Sequence, residues 1–569
     1  MEPNDTNESI GRRRFVTMCS SLGFSSTLFP GVLWARLQED DGSKITRAMV
    51  RDASRLSGLV LSEQEVDLVM DGVQNRNFDK FEEIRSVSLD NSVAPPLYFD
   101  PRVPGMSIDR TRAPMRRSVS TSDPRPSDLE DVAFWPVTRL APLVESRRIG
   151  ALELTRMYLE RLKRLNPRLN CVVNLTEERA IAQARLADED IAAGNYRGPL
   201  HGIPWGAKDI IAAAGYPTSW GAEPFKDQVL DLNATVVERL DAAGAILVAK
   251  LTTGELAFGD QWFGGRTNNP WNPEHPELGS SGSSAGPGAA TAAGLVGFSI
   301  GTDTGGSILS PSVRCGITGL RPTFGRISRY GVMAAGYSLD KIGPMCRSVE
   351  DCALVLSATH GPDGKDLAVP EDVPFNWDAL TEARDLRIGF FESAFADTES
   401  REGAESLANG LRVVESLRSV GAELEPVQIP MNDLTYWIEY VERAAGFDEF
   451  ARSGRDAGLR RTNHRGELRA WRLVSAVDFL QANRIRMLLM KESAEAMAGL
   501  DAVVAPWRAV NPLTSMTGHP VVVVPSGFDA EGLPTGVALV GQVYGEARLL
   551  AAAKALQDVT DYHLRHPVL

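Results

Sequence analysis

Between Gly279 and Gly306 the chain places nine glycines in 28 residues, 32% against 9% for the whole sequence. Serines punctuate this run at Ser280, Ser281, Ser283 and Ser284, and Ser307 follows it directly. The spacing is neither the collagen triplet nor the GxxxxGK[ST] phosphate loop. A Gly/Ser linker would not continue as the apolar run Leu295–Gly301 and then as Thr302-Asp303-Thr304-Gly305-Gly306-Ser307-Ile308. Glycines flanking a serine at a strand end let backbone N–H groups converge on one point, as a developing oxyanion requires. The second chemical element lies upstream, in His201-Gly202-Ile203-Pro204-Trp205-Gly206-Ala207-Lys208-Asp209-Ile210-Ile211. A lysine set among apolar residues is desolvated, and burial disfavours its charged form. Alone, such a lysine is usually solvated and inert. Paired with a serine cluster, it is a candidate base.

The elements that must position these groups are legible from hydrophobic period and breakers. A helical pattern over Ala151–Leu165 is expected to stop at Asn166-Pro167. Another runs from Ala180 to Ala193 and stops at Gly194-Asn195. Short apolar runs at Gly244–Ala249, Leu295–Gly301, Val521–Val524 and Thr535–Val540 read as strands between helices, implying a largely buried α/β sheet. Residues 44–94 read as a small helical unit, in which Ser62 and Glu65 form a capping box ahead of Val66, Val69, Met70 and Val73. Residues 95–130, rich in Pro, Arg, Ser and Asp, read as a solvated linker, and 131–569 as the main domain.

Gly202-Ile203-Pro204 with Lys208-Asp209, Gly282-Ser283-Ser284-Ala285-Gly286, and Gly301 through Ile308 together resemble the amidase signature family. The separations 283 − 208 = 75 and 307 − 283 = 24 are those at which that family places its lysine, bridging serine and nucleophile. The similarity spans about Pro136 to Leu556 and includes Cys315-Gly316, Gly319–Gly325, Ser328–Gly331 and Thr517–Pro520. The resemblance implies an α/β/α core on a mixed twisted sheet and hydrolysis of a small-molecule carboxamide, with neither metal nor organic cofactor. It implies Ser307 as the acyl-accepting nucleophile and Ser283, after a cis Gly282–Ser283 bond, as the bridge to Lys208. It further implies N–H groups of Thr304, Gly305, Gly306 and Ser307 as the oxyanion hole, with Ser284 orienting Lys208. For Lys208 to act as a base, its pKa must fall from about 10.4 towards 7 or 8. That shift of roughly 3 units, about 4 kcal/mol, lies within what burial supplies.

Three positions depart from the family's pattern. Ala285-Gly286 stands where Gly-Gly is usual, and Leu309 replaces the arginine that braces the nucleophile loop. Pro506-Trp507 runs almost directly into Thr514–Pro520, which predicts a more open substrate mouth. Leu309 keeps open an inactive, amide-binding homologue. A second alternative is the amide-cleaving component of a glutamine amidotransferase working in a tRNA-charging complex, since the family includes it. Gly282–Gly286 also fits the G-x-S-x-G nucleophile elbow, with Ser284 central and His519 as base. That elbow must follow a strand directly, and Asn269-Pro270-Trp271-Asn272-Pro273 cannot be a central one.

Composition bounds the remaining classes. With 60 basic and 74 acidic residues the net charge is −14, which argues against a nucleic-acid binder. Five cysteines without a CxxC pair argue against a disulfide framework or zinc ribbon. No run reaches 18 apolar residues, so no integral membrane domain is expected. Residues 1–40 contain Arg12-Arg13-Arg14-Phe15 ahead of a Ser/Gly-diluted apolar stretch, resembling a twin-arginine export signal. The expected location is therefore the periplasm, with a cytoplasmic protein bearing a basic N-terminus as the alternative. A homodimer is left open.

Overall fold

The computed structural model describes residues 46–56, 58–74, 86–93, 95, 97–119, 123–275, 277–395, 401–430 and 437–569. The export-like segment lies outside the described residues. The chain divides into two compact units, 1–88 and 89–569. In the first, α1 (Arg47–Leu56) and α2 (Glu63–Gln74) form a helical pair. The capping box of α2 is present: Glu65 N–H donates to Ser62 Oγ at 3.3 Å, and Ser62 N–H donates to Glu65 Oε2 at 2.7 Å.

The second unit is built on a mixed sheet. Its strands are β1 (Val172–Leu175), β2 (Pro204–Lys208), β3 (Ile246–Leu251), β6 (Phe298–Asp303), β7 (Thr318–Arg321), β8 (Lys341–Cys346), β9 (Arg387–Phe390), β10 (Glu423–Pro426), β11 (Ala502–Ala505), β12 (Val521–Phe528) and β13 (Pro534–Gly541). The hairpin β4–β5 (Gln261–Trp262, Gly265–Arg266) stands apart. Among the described residues the sheet order is β1-β3-β2-β6-β8-β7-β12-β13-β11-β9-β10. Strands β3, β2 and β6 run parallel, β8, β7, β12 and β13 alternate antiparallel, and β11, β9 and β10 are parallel again.

Helices cover both faces, and the valines of β12 show why. Val522 and Val524 join one apolar cluster, whereas Val521 and Val523 join another on the opposite side. A strand with period-two side chains buried on both faces needs a helical layer on each. Helix α3 (Ala151–Leu169) and α4 (Glu177–Ala192) precede β2. Helix α3 runs past its expected end, because Pro167 falls in the last turn. There it removes a single N–H bond while Leu169 gains full burial, and the helix stops at Asn170 in the left-handed conformation.

The segment expected to be a linker is fixed on the main unit instead. Residues 89–94, assigned by sequence to the helical unit, also belong to it. Asn91 explains this: its Oδ1 accepts from Ala334 N–H at 2.7 Å, and its Nδ2 donates to Ala334 O at 3.0 Å and Gly446 O at 3.2 Å. Farther along, Arg116 N–H donates to Trp377 O at 2.9 Å and Ser118 N–H to Glu350 Oε1 at 2.8 Å. Its proline and arginine content encodes an extended strap whose polar groups find fixed partners.

Candidate active site

Two parallel strands deliver the first components. The β2–β6 register pairs Ala207 with Ile300, so Lys208 at the end of β2 lies level with Gly301, two residues before β6 ends. Lys208 is fully buried. Its Nζ donates to Ser283 Oγ at 2.8 Å, to Thr302 Oγ1 at 2.8 Å and to Thr302 O at 3.3 Å. Burial pushes its ammonium down to about 7, against the upward pull of Asp303 and Asp340 and with a further push from Arg443. At neutral pH, then, a large fraction of this amine is uncharged and in contact with a serine hydroxyl.

The Gly282–Ser283 peptide is cis, as the family resemblance implies. Gly282 is required there: a Cβ would collide with the carbonyl of Gly259. Ser284 does not touch Lys208. It stands at the N-terminal boundary of helix α5 (Ala285–Ala292) without a capping bond, and its Oγ instead donates to Thr302 O at 3.1 Å and accepts from Thr302 N–H at 3.2 Å. Ser284 thus fixes the β6 residue that holds the lysine, an indirect route where direct orientation was expected. Ser284 N–H donates to Ser307 O at 3.2 Å, which joins the two serine segments. Ser307 is partly exposed, whereas Ser283 and Ser284 are buried.

The loop from Thr304 to Ile308 is clamped at several points. Asp303, at the end of β6, accepts from Gly306 N–H at 2.7 Å through Oδ1 and from Ile308 N–H at 2.7 Å through Oδ2. Gly306 therefore commits its N–H to a carboxylate, and its expected place in the oxyanion hole is not available in this conformation. Among the described residues the N–H groups of Thr304, Gly305 and Ser307 have no protein acceptor. Gly306 adopts φ +111° and packs so tightly that a Cβ would lie 2.9 Å from Asn511 Nδ2.

Arg321, on β7 and fully buried, completes the clamp: its Nη1 donates to Asp303 Oδ1 at 3.0 Å, Asn511 Oδ1 at 2.9 Å and Ser515 Oγ at 3.0 Å. Asn511 Nδ2 in turn donates to Gly305 O at 2.9 Å. Burial alone would raise the Asp303 carboxyl, but Arg321 and the Ile308 and Gly306 N–H groups hold it below the usual range. Asn511 and Ser515 lie on helix α6 (Trp507–Thr517), the stretch expected to leave the mouth open. Leu309, in place of the family's bracing arginine, is fully buried in an apolar cluster with Leu339, Val510 and Leu513. The loop is braced all the same, through Asp303–Arg321–Asn511.

Thr302, Asp303, Arg321 and Asn511 had no role in the sequence reading. Thr302 and Asp303 stood inside the motif and Arg321 inside the quoted Gly319–Gly325, whereas Asn511 comes from a helix 206 residues beyond Gly305. The elbow reading fails on geometry: Ser284 is fully buried at a helix cap. His519 Nδ1 is 2.7 Å from Thr517 Oγ1, and burial, aided by Arg321, pushes the His519 ring down to about 4. Among the described residues no three His, Cys, Asp or Glu side chains cluster as a metal site, and no helix is long and apolar enough to cross a membrane.

A mixed α/β sheet carrying a buried lysine bonded to Ser283, beside a glycine loop with N–H groups that have no protein acceptor, is the framework of an enzyme that hydrolyses amides. Residues 153–514 match the family model described as Amidase, and the chain belongs to that family. It is 36% identical over 484 residues to the A-type chain of the glutamyl-tRNA(Gln) amidotransferase of Chloroflexus aurantiacus, covering 76% of this chain and 98% of that one. Its identity to the protein of the same name from Methylococcus capsulatus is also 36%, over 485 residues, 76% of this chain and 98% of that one. Among solved structures it is similar to the peptide amidase of Stenotrophomonas maltophilia, with a TM-score of 0.67 and 28% identity over 75% of this chain and 97% of that one.

Proposed function

We propose that the protein hydrolyses a linear carboxamide through an acyl-enzyme on Ser307. Neutral Lys208 accepts the Ser283 hydroxyl proton as Ser283 accepts that of Ser307, and Ser307 Oγ bonds to the amide carbon. The negative charge on the former carbonyl oxygen is met by the N–H groups of Thr304, Gly305 and Ser307, while Gly306 N–H stays on Asp303. The proton returns through Ser283 to the amide nitrogen, the C–N bond breaks and the amine leaves. Water then attacks the ester by the same relay and releases the acid. One observation carries this reading: the buried amine, 2.8 Å from Ser283 Oγ, is held near neutrality.

The test is turnover of a panel of small amides by purified enzyme. Ser307→Ala and Lys208→Ala are each expected to lower kcat by on the order of 10³-fold or more, and a fluorophosphonate probe is expected to label Ser307. His519→Ala retains turnover. An active Lys208→Ala enzyme overturns the relay.

The names of the relatives in Chloroflexus and Methylococcus favour a second reading, in which glutamine is the amide and a complex takes up the ammonia. Co-purification with a tRNA-binding protein from the native host would support it. The twin-arginine-like Arg12-Arg13-Arg14 favours a free-standing, exported enzyme, for which activity in the periplasmic fraction is the check.

A further inference from the structure

One carboxylate beside the site has no part in the relay. Asp340 is half-buried and shares the wall of a cavity of about 280 Å³ with Thr302 and Thr304. Its Oδ1 accepts from Thr304 Oγ1 at 2.6 Å, and its Oδ2 accepts from the N–H groups of Ala335 at 2.8 Å and Gly336 at 3.0 Å. All three donors are neutral. A charge withdrawn from water is ordinarily paired, yet among the described residues Asp340 forms no ion pair. The bond to Thr304 falls at a sensitive place. Thr304 is buried and heads the nucleophile loop, and its N–H is one of the three without a protein acceptor. Asp303 grips the far end of the loop at Gly306 and Ile308, and Asn511 grips Gly305 O. The Thr304 side chain has Asp340 as its one hydrogen-bond partner among the described residues. Gly336, whose N–H Asp340 also holds, packs so closely that a Cβ there would lie 3.2 Å from Thr304 Cγ2. The carboxylate thus fixes Thr304 twice, through its hydroxyl and through the turn packed against its methyl.

The charge of Asp340 matters as well as its bonds. Against the burial of Lys208, Asp303 and Asp340 pull its ammonium up, while Arg443 pushes it further down. Asp303 is paired with Arg321 at 3.0 Å and Arg443 with Glu439 at 2.9 Å, so a neighbour offsets each of those two fields. Asp340 has no such neighbour. The other charged groups around it are engaged elsewhere: Arg329 with Asp366 at 2.8 Å, Lys365 with Glu238 at 3.1 Å, and Glu442 with the Ser338 N–H at 2.9 Å. Lys341, next in the chain, donates to Ser515 O at 3.0 Å. Burial, with Arg321 close by, pushes the Lys341 ammonium well below its ordinary value, which makes it a weak counter-charge.

We propose that Asp340 is a positioning residue for amide cleavage, aiming the Thr304 N–H at the oxyanion and supplying the unpaired negative charge that favours proton uptake by Lys208. The inference rests on the relay reading and deepens it, since Asp340 acts through Thr304 and Lys208 and is bonded to neither serine of the relay.

Two substitutions separate the two roles, each assayed as a pH profile with the best substrate of the amide panel. An asparagine can accept from the Ala335 and Gly336 N–H groups and donate to Thr304 Oγ1, so Asp340→Asn removes the charge and keeps the bonds. Without that charge the ammonium of Lys208 is disfavoured. The midpoint of the acid limb of kcat/KM is expected to move about 0.5 unit lower, raising activity at pH 6 relative to the plateau about 2.5-fold. Thr304→Val keeps the charge and loses the tether. Its kcat is expected to fall on the order of 10-fold, with KM and the midpoint little changed, and Thr304→Ser is expected to recover it. A merely structural Asp340 would lower the urea midpoint of Asp340→Asn and leave the acid limb in place, and an unmoved limb overturns the proposal. A wild-type kcat in Thr304→Val overturns it too, and that test stands even if Asp340→Asn does not fold. Failure of the relay reading looks different: Lys208→Ala would then turn over the substrate, and the wild-type profile would lack an acid limb at about 7.

Discussion

Replacing Thr302 by valine removes one hydroxyl from the lysine clamp and nearly nothing else, because the two side chains have the same shape. Lys208 would keep Ser283 Oγ at 2.8 Å and Thr302 O at 3.3 Å but lose the 2.8 Å acceptor. An acceptor bound to an ammonium contributes about 1.5–3 kcal/mol, against about 0.5–1.5 kcal/mol for a neutral donor. Its loss therefore disfavours the charged amine by ~1–1.5 kcal/mol, which at 1.36 kcal/mol per pH unit is ~1 unit. The sign follows from the role: the relay needs neutral Lys208, so activity rises with pH through the lysine's pKa of about 7. In Thr302→Val the midpoint of the acid limb of kcat/KM moves ~1 unit lower. At pH 6 the neutral fraction then grows from ~10% to ~50%, so activity relative to the plateau rises ~5-fold. The plateau itself is expected to fall, since a less basic amine pulls the proton less strongly. The assay is a pH profile of kcat/KM for wild type, Thr302→Val and Thr302→Ser, with the serine variant keeping the wild-type midpoint. A midpoint that stays in place or moves upward in Thr302→Val would refute Lys208 as the titrating base.

Restoring the family's arginine at position 309 should harm this protein. Leu309 sits in an apolar cluster and Asp303 already pairs with Arg321, so Leu309→Arg buries an unpaired cation. A stability loss of about 3–5 kcal/mol is expected, read as a lower urea midpoint; an unchanged midpoint would mean that the loop makes room for a second arginine. Arg321→Met strips the counter-charge from a buried carboxylate and frees the loop. It should destabilise by about 3–5 kcal/mol and cut kcat more than it changes KM, and Arg321→Lys should restore part of both. Acid should unfold the protein early, because burial holds His360 down to about 3 and His519 down to about 4, below an ordinary value of 6.5. The unfolded chain then binds protons that the folded one refuses. Stability falls from pH 6.5 down towards 4 by up to about 1.4 kcal/mol per unit per histidine, and His519→Gln should flatten the slope of urea midpoint against pH.

How much of this was legible in the sequence depends on the range of each signal. The glycine and serine spacing pointed to the candidate relay, because Lys208, Ser283 and Ser307 fall on strand ends and tight turns whose local needs are written in neighbouring residues. Burial of the lysine could be read from its apolar neighbours, and the strands around Val521 and Thr535 from their continuous apolar runs. Tertiary structure alone decided the rest. Gly306 points its N–H at Asp303, and Leu309 is tolerated since Arg321 and Asn511 arrive from elements hundreds of residues away or on another strand. The strap over residues 89–118 has the composition of a linker, yet its partners Ala334, Trp377 and Glu350 lie more than 200 positions along the chain. Local sequence carries conformational preference; which distant donor satisfies a buried carboxylate, or which backbone an asparagine grips, is set only when the sheet brings them together.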